Sequence, residues 1–225
     1  MKTPYKTIII ASIISSLFFS SGCQFKDCIN GTEPAKSEER KSEPFESIET
    51  RGSSNIHIKK GEGFSILIRD HENLLKYFKT EVKSSVLILG FDEHNCVKNS
   101  LMEVVIIMPD LKKINSLGSG DIYVTGKFEG EKLTTDILGS GQIIIKDSCF
   151  YKTLSASISG SGDIEAKNGK FAKAKIGILG SGSLGVGKTD SLDVDIKGSG
   201  SVSYFGNPVI KSDISGSGTI NKASK

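Results

Sequence analysis

Hydrophobic and polar residues alternate over short stretches of residues 45–110. Ile56 and Ile58 flank a polar position, and Phe64, Ile66 and Ile68 repeat the pattern after a glycine-containing turn. A period of two directs alternate side chains into a core and into solvent, which is typical of β-strands. Because no sustained helical periodicity follows the N-terminal segment, the pattern predicts a leading β half over residues 45–110.

The second half of the chain contains an internal repeat. Gly-Ser-Gly occurs six times, with spacings of 21, 21, 20, 18 and 18 residues, at 118–120, 139–141, 160–162, 180–182, 198–200 and 216–218. Apolar residues stand at fixed offsets after and before the motif, among them Ile122, Ile143, Ile164, Leu184, Val202 and Ile220, and Ile137, Ile158, Ile178, Ile196 and Ile214. A period near 20 residues fits one coil of a solenoid, where each coil needs its neighbours to bury its apolar face.

These patterns predict an all-β fold in which residues 111–225 form a β-solenoid, similar to a right-handed parallel β-helix, with about six Gly-Ser-Gly coils. Each coil is expected to contain a strand, the Gly-Ser-Gly bend, a second strand and a second turn. Glycine accepts a positive φ or a sharp bend without a Cβ penalty, and it lets corners stack about 4.8 Å apart. We therefore expect Gly162→Val to destabilise the array through the cost of a positive φ.

The first 22 residues have the pattern of an export signal. Lys2 and Lys6 precede an apolar run from Ile8 to Phe19, which is shorter than the roughly 20 residues of a membrane span. The small residues before Cys23 resemble the lipobox of bacterial lipoproteins, and this resemblance implies cleavage before Cys23 and lipid attachment to it. The alternative is an ordinary secretory signal followed by an unrelated cysteine.

The segment after Cys23 is rich in charge and proline and has little hydrophobicity. Such a composition cannot offset the entropy of the chain, which favours a flexible linker. The predicted organisation is a signal peptide at 1–22, a lipidated cysteine with a flexible tether at 23–44, and a folded domain at 45–225.

Charge argues against a nucleic-acid partner. The chain has 29 basic and 26 acidic residues, and loss of Lys2 and Lys6 with the signal leaves 27 against 26, a formal charge of about +1. Nucleic-acid binding requires a concentrated basic face, and the sequence shows none.

Cysteine and histidine positions do not predict a metal or cofactor site. Cys28, Cys96 and Cys149 follow Cys23 at spacings that match no zinc pattern, and the three histidines lie in different segments. With Cys28 in the predicted tether, the sequence leaves open a Cys96–Cys149 disulfide or two buried free thiols.

Candidate catalytic residues do not form a recognisable set. The candidate acids for glycoside hydrolysis are Asp136, Asp147, Asp163, Asp190, Asp193 and Asp195. None of them lies among aromatic residues that would hold a sugar ring. No histidine follows His94, which disfavours a Ser-His triad along the array. Asp121 and Asp163 follow two corners, but other residue types fill that slot elsewhere, which disfavours calcium. Candidates for a carbohydrate-binding aromatic patch are Tyr123, Tyr151, Tyr204 and Phe205, with coil packing as the alternative for Tyr204.

Motifs across the chain resemble the exported bacterial family described as "putative auto-transporter adhesin, head GIN domain". The residues that carry the resemblance are Asn73-Leu74-Leu75, Thr80-Glu81-Val82-Lys83, Leu87-Ile88, the passage from Met108-Pro109-Asp110-Leu111 to Leu117-Gly118-Ser119-Gly120-Asp121-Ile122, and the repeats that follow. The resemblance covers about 45–220 and implies a solenoid of stacked parallel strands on a lipid anchor or a secreted chain. The family supplies no catalytic residues.

The leading functional hypothesis is a non-enzymatic envelope lipoprotein, exported to the outer membrane or cell surface and anchored through Cys23. Its solenoid would act in adhesion or bind a surface glycan or an envelope protein, without a cofactor. The alternatives are a polysaccharide-degrading β-helix enzyme, or a purely structural or signalling envelope protein. The sequence leaves the oligomeric state open.

Overall fold

Strands dominate the part of the chain that the structure describes. The structure is a computed structural model, and it describes residues 28–224. The described segment before the leading half contains β1 (Ile29–Asn30) and β2 (Ala35–Arg40). The leading half contains β3 (Ser47–Gly52), β4 (Asn55–Lys60), β5 (Ser65–His71), α1 (Glu72–Leu75), β6 (Phe78–Lys83), β7 (Val86–Phe91), β8 (Val97–Lys98) and β9 (Glu103–Met108). The repeat region contains β10 (Lys113–Gly118), β11 (Ile122–Thr125), β12 (Glu129–Gly139), β13 (Gln142–Ile145), β14 (Phe150–Gly160), β15 (Asp163–Gly180), β16 (Ser183–Gly198), β17 (Ser201–Phe205), β18 (Val209–Gly216) and β19 (Thr219–Lys222).

The repeats form a parallel β-solenoid, which confirms the predicted fold class. Strands before each corner pair in register with their counterparts one coil away, as β10 does with β12 and β12 with β14. Strands after each corner do the same, as in β11 with β13. The first glycines of the six corners consequently align in one column.

The repeated apolar positions stack in columns inside the solenoid. One column runs through Ile122, Ile143, Ile164, Leu184 and Val202, each at most 1% exposed. Complete burial of one such side chain is worth about 1.5–3 kcal/mol of gross hydrophobic free energy. Since each residue contacts the next coil, this stabilisation depends on stacking.

Both glycines of each corner lie too close to the preceding coil to accept a Cβ, but only the first has a positive φ. The first has φ between +125° and +150° in all six corners, a backbone region that favours glycine. Gly162, a second glycine, has no such φ, so the predicted reason for the cost of Gly162→Val is wrong. A Cβ on Gly162 would instead lie 2.5 Å from the carbonyl oxygen of Gly141 in the preceding coil. Close approach of stacked backbones therefore requires the second glycine.

The leading half continues the solenoid and then closes its end. Strands β3 and β4 pair in parallel with β10 and β11, and a corner at Gly52-Ser53-Ser54 replaces Gly-Ser-Gly. Parallel pairing continues to β7 and β9, but β5 and β6 pair with these strands in the antiparallel sense. The antiparallel strands cover the N-terminal end of the array.

The prediction of a flexible tether is wrong for residues 28–44, the part of that segment that the structure describes. Strand β2 pairs antiparallel with β5 over six residues, from Ala35 opposite His71 to Arg40 opposite Ile66. The Arg40 guanidinium donates a hydrogen bond to the Leu75 carbonyl at 3.0 Å. Edge pairing therefore orders a segment that lacks hydrophobicity of its own. The signal peptide and Cys23 lie outside the described residues.

The two predictions for Cys96, a disulfide with Cys149 and a buried free thiol, are also wrong. Cys96 forms a disulfide with Cys28, and β1 pairs with β8 next to this bond. Cys149 is a free, buried thiol, and burial raises its pKa to about 11. The sequence argument failed because it placed Cys28 in a segment without fixed structure.

Candidate ligand-binding groove

A ladder of aromatic and basic residues crosses the outer surface of the array. Phe150 of β14 pairs with Lys170 of β15, Lys170 with Lys188 of β16, and Lys188 with Phe205 of β17. Adjacent strands lie about 4.8 Å apart, so three steps separate the two aromatic residues by about 14 Å. The ladder thus places two cations between two phenyl rings.

Burial of the neighbouring positions fixes the outward direction of the ladder. Tyr151, Phe171 and Thr189 follow Phe150, Lys170 and Lys188 in sequence, and all three are buried. Because successive side chains of a strand point to opposite faces, the ladder residues face solvent. The Tyr151 hydroxyl also donates a hydrogen bond to the carbonyl of Leu111 at 2.7 Å, which holds the layer beneath the ladder.

The ladder lines a shallow groove of about 770 Å³. Its charged lining residues are three lysines and one aspartate, a formal balance of +2, and they are Lys152, Lys170, Lys188 and Asp190. Phe150 is 43% exposed and Phe205 is half-buried. The groove therefore combines accessible aromatic area with positive charge.

The lysines of the groove differ in their contacts. The Lys152 ammonium lies 2.7 Å from a Glu131 carboxylate oxygen, and the Lys170 ammonium lies 5.1 Å from the Phe150 ring centroid. Among the ion pairs of the described residues, none involves Lys170 or Lys188. These two ammonium groups are available to an anionic ligand.

The predicted aromatic patch does not assemble as one site. Phe205 lies in the groove, whereas Tyr151 is buried beneath it and Tyr204 packs against the core. Tyr123 lies on another face, where its ring stacks on His57 with centroids 5.1 Å apart. Sequence analysis missed Phe150, Lys170 and Lys188. The signal that identifies them is their common position ten residues before the first glycine of a corner.

The predicted acidic residues do not gather in one place. Asp136 accepts a hydrogen bond from Ser157 at 2.7 Å, Asp147 accepts one from the Gly126 amide, and Asp163 accepts one from the Ser183 amide. Asp195 contacts Lys197 at 3.4 Å, and Asp193 faces outward on the same strand. Asp190 alone of this set lines the groove. Hydrogen bonds and ion pairs within the array account for most of these carboxylates.

The histidines lie at three separate places. His57 contacts Glu103 at 3.2 Å, His94 contacts Asp92 at 2.8 Å, and the ring of His71 contacts the Glu33 carbonyl. Within residues 28–224 no group of three His, Cys, Asp or Glu side chains could hold a metal ion. No helix in that part of the chain is long and apolar enough to cross a membrane.

Solved bacterial structures share this architecture. A "putative adhesin" from Bacteroides fragilis gives a TM-score of 0.75 at 22% identity, over 87% of this chain and 100% of that chain. A "putative lipid binding protein" from Parabacteroides distasonis gives 0.64 at 23% identity, over 87% and 99%. A "putative adhesin" from Parabacteroides merdae gives 0.54 at 22% identity, over 88% and 100%. At these identities the similarity shows the fold.

Similarity at the level of sequence families is specific. No curated protein shows significant similarity to this chain. The family described as "Putative auto-transporter adhesin, head GIN domain" matches residues 44–222, which include the whole leading half and all six Gly-Ser-Gly corners. The resemblance drawn from sequence motifs is confirmed, and the chain belongs to this head GIN domain family.

Proposed function

We propose that this protein is a non-catalytic envelope lipoprotein that is anchored through a lipid on Cys23 and binds an acidic surface glycan. The groove between Phe150 and Phe205 is the binding site. The observation that carries this proposal is the ladder that holds Lys170 and Lys188 between these two aromatic residues. Membership of an adhesin-like family supports a role at the cell surface.

The chemistry of the groove favours a sugar chain with carboxylate or sulfate groups. Phenyl rings provide flat apolar area against which the CH faces of sugar rings can pack. Lysine ammonium groups donate hydrogen bonds to anionic oxygens, and such charge-assisted bonds are stronger than neutral ones. The separation of about 14 Å between the aromatic positions requires an extended ligand rather than a monosaccharide.

The groove supplies poor chemistry for glycoside hydrolysis. That reaction uses two carboxyl groups about 5–10 Å apart on opposite sides of the scissile bond. Asp190 is the single carboxylate among the residues that line the groove. This favours binding over the alternative of a polysaccharide-degrading enzyme.

The disulfide supports export of the chain. Cys28 lies five residues after Cys23, and its bond to Cys96 ties the start of the described segment to the domain. Disulfides persist in oxidising compartments, which include the bacterial envelope. A short connection from a lipid on Cys23 to this bond would hold the domain close to the membrane.

A binding assay with matched charge and size controls tests the proposal. The full chain, purified in detergent, is applied to immobilised polygalacturonate as an acidic probe and dextran as a neutral one. We expect binding to polygalacturonate, with a loss of about tenfold or more in Lys188→Glu and in Phe205→Ala. Lys197→Glu makes the same charge change and Leu179→Ala a similar apolar truncation at exposed positions outside the groove, and both variants should bind normally.

Three outcomes contradict the proposal. Equal binding of the groove and control variants would place the site elsewhere. Absence of binding to this probe and to an array of other acidic glycans would favour an envelope protein partner or a purely structural role. Release of shortened oligosaccharides from polygalacturonate would instead establish the enzymatic alternative.

A further inference from the structure

We propose that the C-terminal end of the solenoid binds a second copy of this chain through antiparallel pairing of β18 with itself. This inference does not depend on glycan binding. It starts from the last coil, where β18 pairs with β16 along one edge and no described strand occupies its other edge. Every residue of β18 is exposed.

The open end exposes apolar residues that occupy core positions in other coils. Ile210 and Ile214 continue the columns of Leu192 and Ile196, and each is 39% exposed, whereas Leu192 and Ile196 are at most 1% exposed. Interior positions of a solenoid become buried only when another layer covers them. An uncovered parallel edge also offers backbone N–H and C=O groups to a further strand.

The opposite end of the array has no equivalent apolar opening, because its outer strands β2 and β6 carry no exposed large apolar side chain. Strands β5 and β6 already pair antiparallel with β9 and β7 there, and β2 covers the next edge of β5. Head-to-tail stacking would therefore leave Ile210 and Ile214 without an apolar partner surface. A two-fold arrangement, in which the open end of one copy meets the open end of another, remains.

The sequence of β18 is complementary to itself in that arrangement. Antiparallel pairing centred on Ser212 places Ile210 opposite Ile214 of the second copy, so the two open cores become continuous. Lys211 then lies opposite Asp213 of the second copy, and Asp213 opposite its Lys211. Both charged residues face outward, as do their register partners Asp193 and Asp195 on β16.

The alternative registers are disfavoured. Antiparallel pairing centred on Lys211 would place the Lys211 residues of the two copies opposite each other. Pairing centred on Asp213 would place the two Asp213 residues opposite each other. Like charges directly opposite one another destabilise an antiparallel pair. A shift by one residue in a single strand places the isoleucines opposite outward-facing positions. The pattern therefore specifies the Ser212-centred register.

Such a dimer would carry the first described strand of each copy, β1, at its outer ends, because β1 pairs with β8 and its Asn30 carbonyl accepts a hydrogen bond from Asn73 of α1 at the covered end of the array. If Cys23 is lipidated as proposed above, copies anchored in two facing surfaces could meet through their free ends. Two grooves in one assembly would also bind a repeating glycan with higher avidity than one.

Disulfide trapping in the full chain tests the contact directly. Opposed residues of an antiparallel pair lie about 4.5–5.5 Å apart at Cα, within the range that a disulfide bridges. We expect Ser212→Cys to give a covalent dimer under mild oxidation. Asp195→Cys, one coil away, should give none, and equal trapping of the two variants would overturn the proposal.

A charge exchange tests the register without a new cysteine. Lys211→Glu and Asp213→Lys should each weaken dimerisation by about tenfold, because either change creates two like-charge contacts. The double variant restores both opposite-charge pairs and should return the dissociation constant to within about threefold of the parent. Light scattering of the detergent-solubilised chain over a range of concentrations measures the dissociation constant of the dimer. The contact would be refuted if the parent chain stayed monomeric at high micromolar concentration. It would also be refuted if the double variant dimerised no more tightly than the single variants.

Discussion

Replacement of Gly162 by alanine tests whether close backbone stacking holds the array together. The new Cβ would lie 2.5 Å from the Gly141 carbonyl oxygen and 2.8 Å from Cγ2 of Ile137. Real Cβ atoms do not approach backbone oxygen this closely, so the corner must separate from its neighbour. Two backbone hydrogen bonds are affected, from the Asp163 amide to Gly141 at 3.1 Å and from the Ser183 amide to Gly162 at 3.3 Å.

The expected loss follows from these contacts. Overpacking costs about 1–3 kcal/mol, and weakening of the two hydrogen bonds costs about 0.5–1.5 kcal/mol each when complete. Partial relaxation gives a decrease of about 2–4 kcal/mol in the free energy of unfolding. For a domain of this size that corresponds to a melting temperature lower by roughly 5–15 °C.

Gly177→Ala is the matched control for this change. Gly177 lies in β15, the long strand that begins directly after Gly162, but its Cβ would meet no heavy atom within 4 Å, and its φ is not positive. We expect a change of at most about 1 kcal/mol there, with stabilisation as the favoured sign. Urea unfolding followed by circular dichroism measures both variants. Equal stability of Gly162→Ala and Gly177→Ala would refute the stacking argument.

Three further predictions concern the cysteines. Cys96→Ser should lower the free energy of unfolding by about 4 kcal/mol, because the Cys28–Cys96 bond closes a loop with a sequence separation of 68, and urea unfolding with and without reductant measures this loss. Cys23→Ser should move the protein from membrane to soluble fractions, and unchanged fractionation would contradict lipid attachment. Burial raises the pKa of Cys149 above its ordinary value of 9.0 to about 11, so its protonated thiol is favoured in the folded state. Its contribution to stability is complete below pH 9 and is lost as the pH rises towards 11, so the parent should lose more stability than Cys149→Ala over this range. Unfolding of both proteins from pH 8 to 11 measures the difference, and parallel curves would contradict the shift.

The fold agrees best with the prediction from local sequence patterns where consecutive coils have the same pattern. Period-two alternation and regular glycine corners predict strands whose apolar residues stack, and Ile122 and Ile143 do so. The corner at Gly52-Ser53-Ser54 was missed because it lacks the second glycine, although its strands pair with β10 and β11. The motif thus marks coils but does not define all of them.

The groove shows why function was harder to predict than fold. Phe150 and Phe205 are 55 positions apart in sequence, and two lysines from intervening coils lie between them. Alignment of the repeats could place these residues in one column. It could not show that the column lines a concave surface, because that depends on the path of the turns around it.

The amino-acid sequence by itself determined the solenoid, because alternation and the glycine spacing impose the same register on every coil. Only the tertiary structure decided what happens at the two ends. The antiparallel strand β2 is polar and has no hydrophobic signal, so its order comes from pairing with β5 and from the Cys28–Cys96 bond. At the other end, Ile210 and Ile214 have the pattern of core residues but remain exposed, because burial requires a next layer that residues 28–224 do not supply.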